Sequence, residues 1–115
     1  MVMIGTNDGV TQEGINQIIS TIVSLGCKPI INHIPSIHGA TELTLLESNE
    51  LIDNCIASSQ YDVKCAKMDV ATSLDYNPSL GHDLSLFSDA IHPNDNGHLR
   101  MFKQVFIDIP ELEIL

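Results

Sequence analysis

The sequence predicts one α/β domain, in which helices pack on the faces of a parallel β-sheet. Short apolar runs alternate with longer amphipathic segments, in the order strand, helix, strand, helix, strand, loop, helix. Strands that alternate with helices are joined by right-handed crossovers, and this places the strands in a parallel sheet. The chain has 115 residues, of which 43% are hydrophobic, and this suits a single hydrophobic core.

The first predicted strand is the apolar run Val2–Ile4. A helix is expected to follow from about Thr11 to Leu25, because apolar residues recur there at helical spacing. Thr11 is suited to cap this helix, and Gly26 is suited to end it. The second predicted strand is Pro29–Ile34, in the sequence KPIINHIP.

The second predicted helix begins at Thr41 or Thr44 and ends at Ala57. Thr44 and Glu47 match the spacing of a capping box, and apolar residues recur on one face. The residues of that face are Leu45, Ile52 and Ile56.

The third predicted strand lies in the sequence VKCAKMDV, and residues 71–93 are then expected to form a long loop. Loops of that length inside a domain are more often functional than idle. A last helix is predicted over Asn94–Ile109. Its expected buried stripe consists of Leu99, Phe102, Phe106 and Ile109.

Charge and composition argue against several kinds of partner. Fifteen acidic residues against five basic ones give a net charge of −10, which disfavours nucleic acids and anionic membrane surfaces. No apolar run approaches the roughly 20 residues that span a bilayer, and no signal peptide is visible, so the compartment is not predicted. The cysteines are expected to be buried free thiols; they are Cys27, Cys55 and Cys65.

Two loops are expected at the carboxyl edge of the sheet, where ligands bind in this class of fold. The first is Gly5-Thr6-Asn7-Asp8-Gly9, in which an amide can donate a hydrogen bond to an oxyanion. The second is SDAIHPNDNGH, in which Asp89 can orient the imidazole of His92 as a base. The simpler alternatives are an Asx turn for the first loop and an ordinary capped helix start, with an exposed His92, for the second.

Together, IGTNDG and DAIHPNDNGH resemble two signature blocks of the SGNH, or GDSL-type, hydrolases. The resemblance implies a three-layer flavodoxin-like sheet and the hydrolysis of carboxylic esters, possibly acetyl esters, without a metal or other cofactor. It implies that Asn7 belongs to the oxyanion hole and that Asp89 and His92 are the acid and base of a catalytic triad. It covers residues 2 to about 107.

The family's Gly-Asp-Ser nucleophile turn and its second oxyanion-hole glycine have no counterpart here. The chain therefore resembles the C-terminal two-thirds of an SGNH domain without its first strands, and by itself it is expected not to hydrolyse esters. Val2–Ile4 would then be an exposed strand edge, which predicts a homodimer, a strand swap or a complementing chain. The expected substrate is a small ester or an acylated carbohydrate.

Three other interpretations compete with an active hydrolase. One is a catalytically inactive binding or assembly module, and another is a small flavodoxin-like ligand-binding domain. A metal site is the third, because the chain holds several histidines, but their spacing matches no standard zinc pattern and surface histidines are the simpler expectation. Those histidines are His33, His38, His82 and His98.

Overall fold

The computed structural model describes residues 10–36, 42–89 and 91–114, without the side chains of 42–44, 113 and 114. Four α-helices lie within them: α1 (Gln12–Ser24), α2 (Glu42–Ser58), α3 (Met68–Thr72) and α4 (Asp95–Asp108). Short 3-10 helices occupy Leu74–Tyr76, Pro78–Leu80, Leu84–Leu86 and Pro110–Ile114. None of the helices in these ranges is long and apolar enough to cross a membrane.

The predicted flavodoxin-like parallel sheet is wrong for this part of the chain, which is helical and contains only isolated β-bridges. The predicted second strand does run parallel to residues 64–66, and Ile30 forms a bridge with Lys64. Ile31 donates a backbone hydrogen bond to the Lys64 carbonyl, and His33 donates one to the Ala66 carbonyl. Two short segments in a single pairing do not make a sheet.

Side chains take the place of further strands along the extended segment 29–36. The amide of Asn49 on α2 accepts a hydrogen bond from the Ile34 N–H and donates one to the Ile34 carbonyl, at 2.7 and 3.2 Å. The Ser36 N–H donates to the hydroxyl of Thr72 at 2.9 Å. Because these backbone groups are already satisfied, they have no need of a neighbouring strand. At Ile34 and Ser36, within the described residues, side chains thus fill places that a neighbouring strand could otherwise take.

The first two predicted helices are confirmed, but α2 begins at Glu42, so the capping box predicted from Thr44 and Glu47 is wrong. Thr11 caps α1, since its hydroxyl accepts a hydrogen bond from the Gly14 N–H at 3.0 Å. Gly26 follows the helix with φ of +77°, a conformation that glycine adopts without strain. The apolar faces of α1 and α2 pack with the extended segment into one core, built around Ile15, Ile19, Ile31, Ile34, Ile52, Cys55 and Val63.

The predicted last helix is also confirmed as α4, but its predicted buried stripe is wrong in part. Phe102 is 60% exposed and Leu99 is 49% exposed, whereas Met101 and Gln104 are buried. The buried face of α4 packs against α3, and this second core consists of Ala66, Met68, Ala71, Met101 and Ile109. Helical spacing alone fits more than one face of α4, and the position of α3 selects the face that is buried.

Four other expectations are corrected or lie outside the described residues. The predicted third strand pairs only around Lys64 and then turns into α3, and the predicted loop 71–93 contains three of the short 3-10 helices. Cys27 is exposed and Cys65 is only partly buried, so burial is as expected only for Cys55, although all three cysteines are free thiols as expected. The predicted first strand, Val2–Ile4, lies outside the described residues.

Candidate functional site

The side chains of Asp89 and His92 lie within ion-pairing distance of each other at the surface. Nδ1 of His92 lies 2.9 Å from Oδ1 of Asp89 and 2.8 Å from Oδ2. The same carboxylate accepts hydrogen bonds from the backbone N–H groups of Ile91 and His92, at 2.9 and 2.8 Å. The backbone N–H groups thus hold the Asp89 carboxylate in place, and the carboxylate in turn orients the His92 imidazole.

A narrow loop presents this pair. Phe87 and Pro93 form an antiparallel bridge at its base, and the Ser88 N–H donates a 2.8 Å hydrogen bond to the His92 carbonyl. Asn94 closes the loop, since its backbone N–H donates to the Leu86 carbonyl at 2.8 Å. Asp89 and His92 therefore lie at the tip of a loop whose two ends are tied together.

The residues after His92 in the motif have structural roles. The Asn94 side chain caps α4, because its Oδ1 accepts a hydrogen bond from the Gly97 N–H at 3.0 Å. Gly97 lies against the loop so closely that a Cβ there would overlap the carbonyl oxygen of Leu86. Helix capping and the Asp89–His92 pair, which the sequence presented as alternatives, are therefore both present.

The electrostatics favour an ionised Asp89. The backbone N–H of Ile91, the His92 ring and the His92 N–H lower the pKa of Asp89 to about 2. Because the carboxylate accepts from Nδ1, the proton of a neutral imidazole lies on that atom, and Nε2 keeps its lone pair. The His92 side chain is 69% exposed, so Nε2 is open to solvent.

An ester-hydrolysing site also needs an oxyanion donor and a nucleophile near the histidine. Asn7 lies outside the described residues. All ten serines are within the described ranges, and none of their hydroxyls hydrogen-bonds to the His92 ring. Ser88, next to Asp89 in the chain, contributes its backbone N–H rather than its hydroxyl.

A second polar cluster surrounds His33 in the core. Nδ1 of His33 lies 2.9 Å from Oδ1 of Asp69 on α3, and Nε2 lies 2.6 Å from Oδ1 of Asp53 on α2. The thiol of Cys65 completes the cluster: one ligand atom from each of His33, Asp53 and Cys65 lies within 4.8 Å of the others. The expectation of a surface histidine is wrong for His33, which is buried.

The charge of His33 follows from its neighbours. Burial alone would lower the pKa of His33, but hydrogen bonds with Asp69, Cys65 and Asp53 and the negative charge of Asp69 together raise it to about 11. With a carboxylate at each ring nitrogen, both nitrogens act as donors and the ring is an imidazolium.

Two of the other histidines considered as metal ligands lie among the described residues, and neither joins His33. His82 packs its ring edge-on against Phe87, with the ring centroids 5.8 Å apart, and His98 is exposed on α4. His38 lies outside the described residues. No sequence motif connects Asp53 or Cys65 to His33. Asp53 lies on α2, well after His33 in the chain, and Cys65 follows the whole of α2.

Comparison with protein-family models, with curated proteins and with solved structures finds no match for this chain. The resemblance to the SGNH hydrolases therefore rests on its own residues, above all on the run from Asp89 to Gly97.

Proposed function

We propose that this chain carries the acid–base half of an ester-hydrolysing site of the SGNH type. One observation carries the proposal: both carboxylate oxygens of Asp89 lie within 2.9 Å of Nδ1 of His92. A carboxylate in this position holds the imidazole in the tautomer whose Nε2 can accept a proton. The tied ends of the loop keep the pair preorganised, as general acid–base catalysis requires.

The proposed reaction is acyl transfer to a serine. Nε2 of His92 accepts the hydroxyl proton as the serine oxygen attacks the ester carbonyl, and Asp89 stabilises the imidazolium that forms. His92 then donates this proton to the leaving alcohol, and water releases the acyl group by the same path. Asn7 would donate to the oxyanion, a contact whose removal usually lowers the rate by about 10²–10³.

The serine itself is proposed to come from outside this sequence, since the sequence contains no Gly-Asp-Ser turn. A complementing chain that pairs with Val2–Ile4 is one way to supply it. A homodimer or a strand swap at the same segment would instead give an assembly without that nucleophile. The proposed substrate is a small ester or an acylated carbohydrate.

Hydrolysis of p-nitrophenyl acetate tests the proposal. The chain alone is expected to hydrolyse it no faster than buffer. We expect a Gly-Asp-Ser segment in frame upstream of Met1, about 50–100 residues away, or on a co-purifying chain. Adding that segment should produce turnover, which His92→Ala and Asp89→Asn should each lower by about 10⁴.

His98→Ala is the matched control, because His98 is also exposed and lies six positions further along. It should leave the turnover unchanged. Turnover by the chain alone that is lost in His92→Ala would contradict the missing nucleophile. Unchanged turnover in His92→Ala would overturn the proposed hydrolase function. So would the lack of a Gly-Asp-Ser segment both upstream of Met1 and on any co-purifying chain.

A further inference from the structure

The polar cluster in the core has no part in the proposed ester hydrolysis. We propose that His33, Asp53 and Cys65 bind one zinc ion through Nε2 of His33, a carboxylate oxygen of Asp53 and the thiolate of Cys65. These side chains come from the extended segment 29–36, from α2 and from the segment that pairs with 29–36. The site is therefore built from elements that already pack together.

The spacing of the ligand atoms suits a tetrahedral ion. Zinc binds nitrogen, oxygen and sulfur at about 2.0–2.3 Å, which places tetrahedral ligand atoms about 3.3–3.8 Å apart. The three ligand atoms here lie within 4.8 Å of one another. The His33–Asp53 distance of 2.6 Å is a hydrogen bond and has to open, and Asp53 can rotate because its side chain is 55% exposed.

Asp69 prepares the histidine for this role. Its carboxylate lies 2.9 Å from Nδ1 of His33, and both side chains are buried. Histidines that bind metals usually donate their second ring N–H to a carboxylate, which fixes the tautomer and the ring orientation. Asp69 therefore directs Nε2 to the ion without touching the ion, and is a positioning residue.

The donor atoms select the metal. Mg²⁺ and Ca²⁺ take oxygen ligands, whereas a thiolate combined with an imidazole suits zinc. The protein supplies three ligands, and a water molecule can take the fourth position. Asp53 lies on the solvent side of the cluster and leaves the ion a path of access.

When zinc binds, it replaces two protons, and the charge of the cluster stays balanced. Without metal, the His33 ring bears protons at both nitrogens, and the Cys65 thiol donates to the Ala66 carbonyl at 3.7 Å. Zinc replaces the Nε2 proton and the thiol proton, and both protons leave to solvent as the zinc–nitrogen and zinc–sulfur bonds form. The net charge of the cluster is unchanged, because the ion brings two positive charges and no redox step occurs.

Titration of the metal-free chain with Zn²⁺ and Co²⁺ tests the site. We expect one ion per chain by calorimetry, and a cobalt–thiolate charge-transfer band in the near ultraviolet. Cys65→Ser should abolish that band, and Asp53→Asn should weaken binding. Asp69→Asn should keep the band while lowering the affinity by about 10–100-fold, as losses of such outer partners do.

Matched controls separate this site from adventitious binding. Cys27→Ser, Asp62→Asn and His92→Ala replace exposed residues of the same three types and should leave the affinity and the band unchanged. Zinc at about 100 times its dissociation constant should also raise the melting temperature by on the order of 10 °C, and only with Cys65 intact.

Binding that is unchanged in both Cys65→Ser and Asp53→Asn would overturn the proposal. So would a band or an affinity that disappears in His92→Ala instead. The decisive variants do not depend on His33→Ala, which removes a buried side chain and can prevent folding.

Discussion

Nδ1 of His33 lies 2.9 Å from Oδ1 of Asp69, although the two residues are 36 positions apart in the sequence. Both side chains are buried, and the pair joins the extended segment 29–36 to α3. A buried charge is stable only when it is paired and hydrogen-bonded. The fold therefore depends on the protonation of this cluster as well as on its apolar contacts.

The metal-free chain should lose stability as the pH rises above neutral. A histidine ordinarily has a pKa of 6.5, the value expected for His33 in the unfolded chain, and the folded protein raises the pKa of His33 to about 11. The folded state binds the extra proton between these values, so its contribution is complete below 6.5 and is lost as the pH rises toward 11. Urea unfolding in the presence of a chelator should show a decline of up to about 1.4 kcal/mol per pH unit.

Asp69→Asn provides the comparison for this pH dependence. The variant should be less stable at neutral pH and should show a shallower decline, because the strongest partner of the imidazolium is gone. Asp62→Asn removes an exposed carboxylate and should keep the slope of the unchanged protein. Equal slopes in all three proteins would contradict the assignment of the proton to His33.

Asp89 should titrate at about 2 rather than at the ordinary 3.8. The backbone N–H of Ile91 and both N–H donors of His92 stabilise the carboxylate, so it stays ionised until the pH falls to this range. Carboxyl ¹³C NMR measures this pKa directly. His92→Ala should raise it only partly, because the backbone donors remain.

The same pair should fix the tautomer of His92. Imidazole ¹⁵N shifts should place the proton of the neutral ring on Nδ1, and Asp89→Asn should increase the population of the Nε2–H form. Asp95→Asn removes a nearby carboxylate that does not contact the ring, and it should leave the tautomer unchanged. A ring with no tautomer preference beside an intact Asp89 would contradict the geometry.

Gly97→Ala should destabilise the protein by about 1–3 kcal/mol, the usual range for forcing atoms into a packed site. A Cβ at this position would overlap the Leu86 carbonyl, and the loop that presents His92 would have to move. Urea unfolding measures the loss. Asn96→Ala, an exposed neighbour, should change stability by less than about 0.5 kcal/mol.

Asn49→Leu should cost at least about 2 kcal/mol, because it leaves the buried N–H and carbonyl of Ile34 without partners. The Ile34 amide should also exchange with deuterium much faster than in the unchanged chain. Asn54→Ala, at an exposed position of α2, is the control and should alter neither measurement. Slow exchange at Ile34 in the Asn49 variant would show that another group holds this amide.

The helices were predictable because their signals are local. The Thr11 cap, the Gly26 stop and the Asn94 cap each act within one turn of the helix that they bound. The buried face of α4 was not predictable, since it depends on where α3 packs. Local sequence determines where these helices begin and end, whereas tertiary contacts determine which side of each is buried.

The sheet was predicted from apolar runs that do not distinguish a strand from an extended segment held by side chains. Nothing near Ile34 in the sequence indicates that Asn49, fifteen positions later, would take its hydrogen bonds. The Asp89–His92 pair was predictable, because its members are only three positions apart. The cluster around His33 was not, because its members come from four separate places in the chain.

The Asn49 side chain hydrogen-bonds to both the backbone N–H and the carbonyl of Ile34, and this affects how the segment tolerates mutation. A backbone held by a neighbouring strand keeps its partner through almost any substitution, because every residue except proline has the same N–H and carbonyl. A backbone held by a side chain loses its partner when a single codon changes. In the extended segment 29–36, a single substitution at Asn49 is thus enough to remove two main-chain hydrogen bonds.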